Sequence, residues 1–218
     1  MKLGVLISGR GSNLQALIDA TADPAFPAEI AVVISNIADV QGLERAAKAG
    51  IPTAVVDHKA HDGRPAFETA LTATLEGHGV RLVCLAGFMR LLTKGFVDHW
   101  RDRIINIHPS LLPAFKGLNT HERVLHYGVK FTGCTVHYVR AEMDDGPIIV
   151  QGAVPVLPGD TADSLGARVL GVEHRIYPLA VRLVAEGRAR VIGNAVNVDQ
   201  PPGDGDGTAN IVVINPAG

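Results

Sequence analysis

Positions 104 to 114 read Ile-Ile-Asn-Ile-His-Pro-Ser-Leu-Leu-Pro-Ala. Asn106 brings an amide that donates hydrogen bonds, and His108 brings a ring that takes and gives protons near neutral pH. Strand side chains alternate, so Asn106 and His108 share one face while Ile105 and Ile107 serve the other. Pro109 has no N–H to donate and ends the ladder there. A donor beside a general acid/base, where a strand gives way to a loop, suits acyl transfer. Its tetrahedral intermediate needs both an oxyanion donor and a proton carrier. The same pattern also describes a satisfied core histidine beside a turn, so the decision falls to the rest of the chain.

Three other stretches carry candidate chemistry. Ser8-Gly9-Arg10-Gly11-Ser12-Asn13-Leu14 follows a strand and opens a helix. Glycines there allow a sharp turn, and helix N-terminal amides favour an anion. A dinucleotide fingerprint would add a third small residue and an acid ending the second strand, and Leu14 and Ser35-Asn36 supply neither. The loop therefore suits a phosphomonoester rather than NAD, its plain alternative being a tight turn with Ser12 as N-cap. Residues 85–92, Leu-Ala-Gly-Phe-Met-Arg-Leu-Leu, offer a flat organic ligand an aromatic ring, a methionine and a cation, or simply core packing. Arg64 is either a partner for an acidic ligand or a solvated arginine at a helix start. The acidic run 142–147 is an ordinary turn unless the fold returns it to His108, where a carboxylate would orient the imidazole and favour its charged form.

The elements that must position these groups alternate. Short β-branched runs at 3–8, 30–35, 53–56 and 82–86 are interleaved with helical patterns at 13–20, 43–49 and 67–76. This rhythm predicts an α/β fold, an open, mostly parallel twisted sheet with helices on both faces. Beyond His108, the runs 133–140 and 148–156 leave no room for a crossover helix and should pair antiparallel, making the C-terminal part of the sheet mixed. A long helix is expected over about 163–185, with Pro178 predicting a kink or break. Residues 201–208, Pro-Pro-Gly-Asp-Gly-Asp-Gly-Thr, read as a flexible linker, and 210–214 as strand-like.

Bulk composition sets limits. Twenty basic residues face 22 acidic ones, for a net charge of -2 across 218 residues, so no global field favours nucleic acid or an anionic membrane. Substrate charge must be met locally. Cys84 and Cys134 lie in apolar runs without metal-ligand spacing, which predicts buried thiols in a reducing cytoplasm rather than a disulfide or a zinc site. No stretch approaches a membrane span, and the N-terminal apolar run is too short for a signal peptide.

The ordered set S-G-x-G-S-N, L-A-G-F-M-R, N-I-H-P-S-L-L-P, D-x-G-P and E-H-x-I-Y-P closely resembles the phosphoribosylglycinamide formyltransferase family over about residues 2–192. The resemblance implies a Rossmann-like formyltransferase domain over 1–192, with a phosphate-binding half at 1–100, a catalytic and folate half at 101–192, and a tail at 193–218. It implies 10-formyltetrahydrofolate as co-substrate, with no metal and no NAD, and small-molecule substrates rather than nucleic acid or membrane. The expected protein is cytoplasmic and a monomer or homodimer. Carried over by position, Gly11, Ser12 and Asn13 would hold a phosphate and Glu173 ribose hydroxyls. Arg64, Met89, Arg90, Leu91, Leu92 and Asn106 would meet the folate, and Asn106, His108 and Asp144 would form the catalytic trio. Asp145 stands where the family commonly has glycine. Aspartate tolerates φ > 0 better than most residues, and which carboxylate faces His108 stays open at this point. Formyltransferases acting on methionyl-tRNA, formyltetrahydrofolate deformylases and a non-enzymatic nucleotide- or folate-binding regulator share parts of the pattern and are the competing readings.

Overall fold

The structure, a computed structural model, describes residues 1–199. In chain order its elements are β1 (Lys2–Ile7), α1 (Ser12–Thr21), β2 (Glu29–Ser35), α2 (Gln41–Lys48), β3 (Thr53–Val55), α3 (Gly63–Gly77), β4 (Leu82–Leu85), α4 (Lys94–His99), β5 (Ile104–His108), α5 (Thr120–Tyr127), β6 (Phe131–Tyr138), β7 (Ile148–Pro155), α6 (Ala162–Ala185), β8 (Ala189–Ile192) and β9 (Ala195–Val198). A seven-stranded sheet runs in the order β3-β2-β1-β4-β5-β6-β7. The β1–β2, β1–β4, β2–β3 and β4–β5 pairs are parallel, and β6–β7 is antiparallel. The mostly parallel sheet with a mixed C-terminal part is the one the sequence predicts.

The chain divides into two compact units, Met1–Asn106 with Val139–Ala141, and Ile107–Tyr138 with the described residues from Glu142 onward. In the first unit, β4, and β1 beyond its exposed Lys2, are apolar, as strands covered on both faces must be. Leu3, Val5, Leu6 and Ile7 are buried, as are Leu82–Leu85. Phe67, Leu71 and Leu75 of α3 join Trp100 and Phe96 in one core cluster. Parallel register sets Leu85, the last residue of β4, beside Asn106 of β5.

In the second unit α6 lies on β6 and β7. Its Thr161 cap and Ser164 form a reciprocal capping box that fixes where the helix starts. Pro178 does not interrupt α6, which is one helix from Ala162 to Ala185. An interior proline costs about 3 kcal/mol. Ile176, Tyr177, Ala180 and Val181 on either side are buried, and large side chains of this kind contribute about 1.5–3 kcal/mol each, so packing outweighs the lost hydrogen bond. The antiparallel β8–β9 hairpin places regular structure up to Val198, inside the segment expected as a tail. The stretches 201–208 and 210–214 lie outside the described residues.

Cys84 and Cys134 are buried free thiols. Burial pushes the Cys134 thiol up, and the nearby Glu173 charge adds to it. Among the described residues no helix is long and apolar enough to cross a membrane, and no group of three or more His, Cys, Asp or Glu side chains is placed to hold a metal.

Candidate active site

The glycine loop delivers a bare helix start. Gly11, not Ser12, is the N-cap residue of α1. It sits in the left-handed region at φ 70°, and no side chain caps the helix. The alternative with Ser12 as N-cap is thereby corrected. An uncapped N-terminus leaves its first amides for an anion. The loop is pressed against α2, with Gly42 N donating to Gly9 O at 3.1 Å. A Cβ on Gly11 would stand 2.8 Å from Gly42 Cα. Gly11→Ala is therefore expected to cost about 1–2 kcal/mol from the left-handed backbone alone, plus the clash. Affinity for a phosphate-bearing substrate should drop about tenfold or more, as titration calorimetry would read, and an unchanged affinity would show that another element holds the anion.

The segment after β4 splits its side chains. Phe88 and Leu92 pack against the core of the first unit, whereas Met89 and Leu91 are 71% and 63% exposed. Leu92 is thus a packing residue by its side chain and has only its backbone to offer a ligand. Arg90 is half-buried, and Arg64 is exposed in the first turn of α3.

The histidine site is built at the end of β5. Asn106 and His108 are alternate residues of one strand; Asn106 is partly exposed and His108 is buried. Beyond Pro109 the chain folds back through a loop in which Phe115, Gly117 and Asn119 all have positive φ. That turn brings the Phe115 carbonyl to 3.0 Å from His108 Nε2, which donates to it. The other ring nitrogen, Nδ1, is 3.5 Å from Asp144 Oδ2. The contact becomes an ion pair when the ring is protonated, and it is longer than the ~2.7–2.9 Å of a fully formed charged hydrogen bond. Both nitrogens face oxygens that only accept, so the ring's orientation is fixed by Phe115 and any positive charge it takes up is matched by Asp144.

Asp144 is held from three sides. Its backbone is left-handed at φ 52°. Oδ2 accepts from Gly117 N at 2.9 Å, and Oδ1 lies 3.9 Å from His137 Nε2. Asp145, by contrast, is about half exposed and pairs with Lys116. The left-handed position considered for Asp145 belongs to Asp144, and the carboxylate facing His108 is that of Asp144.

Sequence reasoning missed His137 and Thr135. Thr135 Oγ1 donates to Ser110 O at 2.7 Å and accepts from Leu112 N at 3.0 Å. Gln151 Nε2 adds bonds to Leu112 O and Thr135 Oγ1, both at 2.9 Å. Together they pin the turn that follows His108. The available signal was polar residues at alternate positions of an otherwise apolar run. Glu173 is buried in α6 at 6% exposure.

Burial holds the His137 ring below the usual imidazole range, partly offset by a bond to Tyr138 O and by Asp144. His121 is lowered in the same way, burial again the main cause. For both, the unfolded chain takes a proton at higher pH than the folded one. Their contribution to stability is therefore complete above the ordinary value of 6.5 and is lost as pH falls below it. The thermal midpoint should fall between about pH 8 and pH 5, and His137→Gln should flatten part of that slope; an unchanged slope would assign it to other groups.

The chain belongs to the formyl transferase family, whose profile matches residues 1–181. Relatives carry a more particular name. Phosphoribosylglycinamide formyltransferase of Escherichia coli (strain K12) is 46% identical over 91% of this chain and 94% of its own length. The crystal structure of glycinamide ribonucleotide transformylase 1 from Symbiobacterium toebii matches with a TM-score of 0.90 and 52% identity, over 92% of this chain and 94% of that one. The human trifunctional purine biosynthetic protein adenosine-3 is 53% identical over 87% of this chain, which spans only 19% of that much longer protein.

Proposed function

We propose that this protein transfers the formyl group of 10-formyltetrahydrofolate to the amine of 5-phosphoribosylglycinamide, releasing tetrahydrofolate and the N-formyl product in purine synthesis. The observation that carries the reading is the His108–Asp144 pair at the end of the strand that also bears Asn106, in a chain of the formyl transferase family. We assign residues 1–192 to this activity, with the phosphate-binding half at 1–100 and the catalytic and folate half at 101–192. The protein would work in the cytoplasm, as a monomer or homodimer, without nucleic acid, metal or NAD.

In this scheme Gly11, Ser12 and Asn13 receive the phosphate and Glu173 the ribose hydroxyls. Arg64 and the 89–92 segment receive the folate. The neutral amine attacks the formyl carbon and the carbonyl oxygen becomes an oxyanion, to which Asn106 donates together with protonated His108, whose Nε2–H exchanges the Phe115 carbonyl for the substrate while Nδ1 stays on Asp144. The C–N bond to folate then breaks, the proton lost by the incoming nitrogen reaching the departing one by way of the imidazole. Asp144 balances the ring's charge while it carries that proton.

The test is to incubate purified protein with 10-formyltetrahydrofolate, with and without phosphoribosylglycinamide, and follow tetrahydrofolate release. Release that requires the amine supports the transferase. Equal release without it would identify a hydrolase, and none at all a binding protein.

A further inference from the structure

Beside its exposed Met89 and Leu91 side chains, the 89–92 segment proposed above to receive the folate offers the backbone of Arg90 to Leu92, and backbone selects a ligand only when it is held still. We infer that Ser8 and Glu68 are positioning residues that fix the 89–92 segment between two side-chain anchors. The inference rests on the folate reading of that segment.

The first anchor lies where β1 ends. Ser8 N donates to Gly87 O at 3.2 Å, and Met89 N donates to Ser8 Oγ at 2.8 Å. The hydroxyl proton goes to Asn36 Oδ1 at 2.5 Å. Asn36 is 3% exposed, and its Nδ2 lies 3.2 Å from His58 Nδ1. The hydroxyl is thus fixed in direction, its donor committed to a buried amide and its lone pair to Met89.

The second anchor lies on α3. Glu68 is 5% exposed although it carries a carboxylate, a costly group to bury without partners. Its partners are both on Thr93: Oε1 accepts from Thr93 N at 2.7 Å, and Oε2 accepts from the Thr93 hydroxyl. Thr93 Oγ1 in turn accepts from Phe96 N at 3.3 Å and caps α4. A buried carboxylate is therefore devoted to the residue that closes the segment.

Between the anchors, among the described residues, the backbones of Arg90, Leu91 and Leu92 make no hydrogen bond. Native chains pair such groups when buried and leave them to water or a ligand when, as here, they are partly exposed. Here they are free in a segment clamped at Met89 and Thr93, an arrangement suited to reading a planar, amide-rich edge such as a pterin. Ser8 also begins the glycine loop, so its anchor serves two subsites whereas Glu68 serves one.

The two therefore differ in their expected kinetics, measured on the full chain with each substrate varied. Glu68→Ala should raise KM for 10-formyltetrahydrofolate about tenfold, the size of one lost charged hydrogen bond, leaving KM for phosphoribosylglycinamide within about twofold. Ser8→Ala should raise both. Glu68→Gln keeps an acceptor for Thr93 N and should restore most of the folate KM, as Ser8→Thr should by keeping the hydroxyl. Should Glu68→Ala fail to fold, Thr93→Val removes the hydroxyl contact from the other side and should raise the folate KM alone. With an active wild type, a folate KM within twofold in the alanine variants, or both KM values moving together in Glu68→Ala without rescue by glutamine, overturns the assignment. An inactive wild type would instead overturn the functional reading on which it rests.

Discussion

His108→Ala is expected to lower the turnover of formyl transfer by about 10²–10⁴-fold, the range in which a positioned general acid/base operates, while KM for both substrates stays within a few-fold. The expectation follows from how little else the ring does. Nε2 orients it against the Phe115 carbonyl, and Nδ1 faces Asp144. The turn after it is held separately by Thr135 and Gln151, so the loop has a support that survives loss of the imidazole. At 6% exposure the ring is well packed, and its removal should cost some stability; His108→Asn, which fills part of the space and still donates, is the control. Stopped single-turnover measurements of tetrahydrofolate release, with thermal midpoints alongside, separate the outcomes. Lost binding or a collapsed midpoint with little change in kcat would return His108 to the role of a core histidine.

The parallel half of the fold was legible because its strands are continuous apolar runs and its longer helices carry enough turns for a periodic signal. Short elements were not. α4 has six residues with Gly95 among them, under two turns, and α5, of eight residues between left-handed Asn119 and Gly128, buries only Thr120 and Val124, too few for an apolar stripe. The four-residue strands of the β8–β9 hairpin fall to the same limit. At the site, Asn106 and His108 could be paired from sequence because strand alternation is local. The choice between Asp144 and Asp145 could not, since adjacent carboxylates point apart only once backbone handedness is known, and the left-handed turn falls at Asp144. Thr135 escaped because its partners, in the turn after His108, lie more than twenty residues away, and His137 because its facing Asp144 comes near it only through the left-handed turn between β6 and β7. Leu92 shows what a contiguous motif leaves hidden: its side chain packs against the core while Leu91 is exposed, a division that only the backbone's course decides.

Asp144→Asn should separate charge from shape at the same site. Asparagine tolerates the left-handed backbone as aspartate does, and its oxygen can still accept from Gly117 N, so the loop should keep its course. What disappears is the negative charge facing His108 Nδ1 and His137 Nε2. A proton-carrying ring without its counter-charge is expected to lose about 10²–10⁴-fold in turnover, the scale on which replacing a histidine-orienting carboxylate by an amide acts in other enzymes, with folate and glycinamide KM values little changed. Asp145→Asn is the contrast. That carboxylate is 55% exposed and paired with Lys116 at the surface, a kind of contact that contributes about 0–1 kcal/mol, so turnover should stay within about twofold to threefold of wild type. Equal losses in the two variants, or the larger loss in Asp145→Asn, would mean that the loop reorganises when substrate binds and that the carboxylate serving His108 during turnover is not the one facing it here.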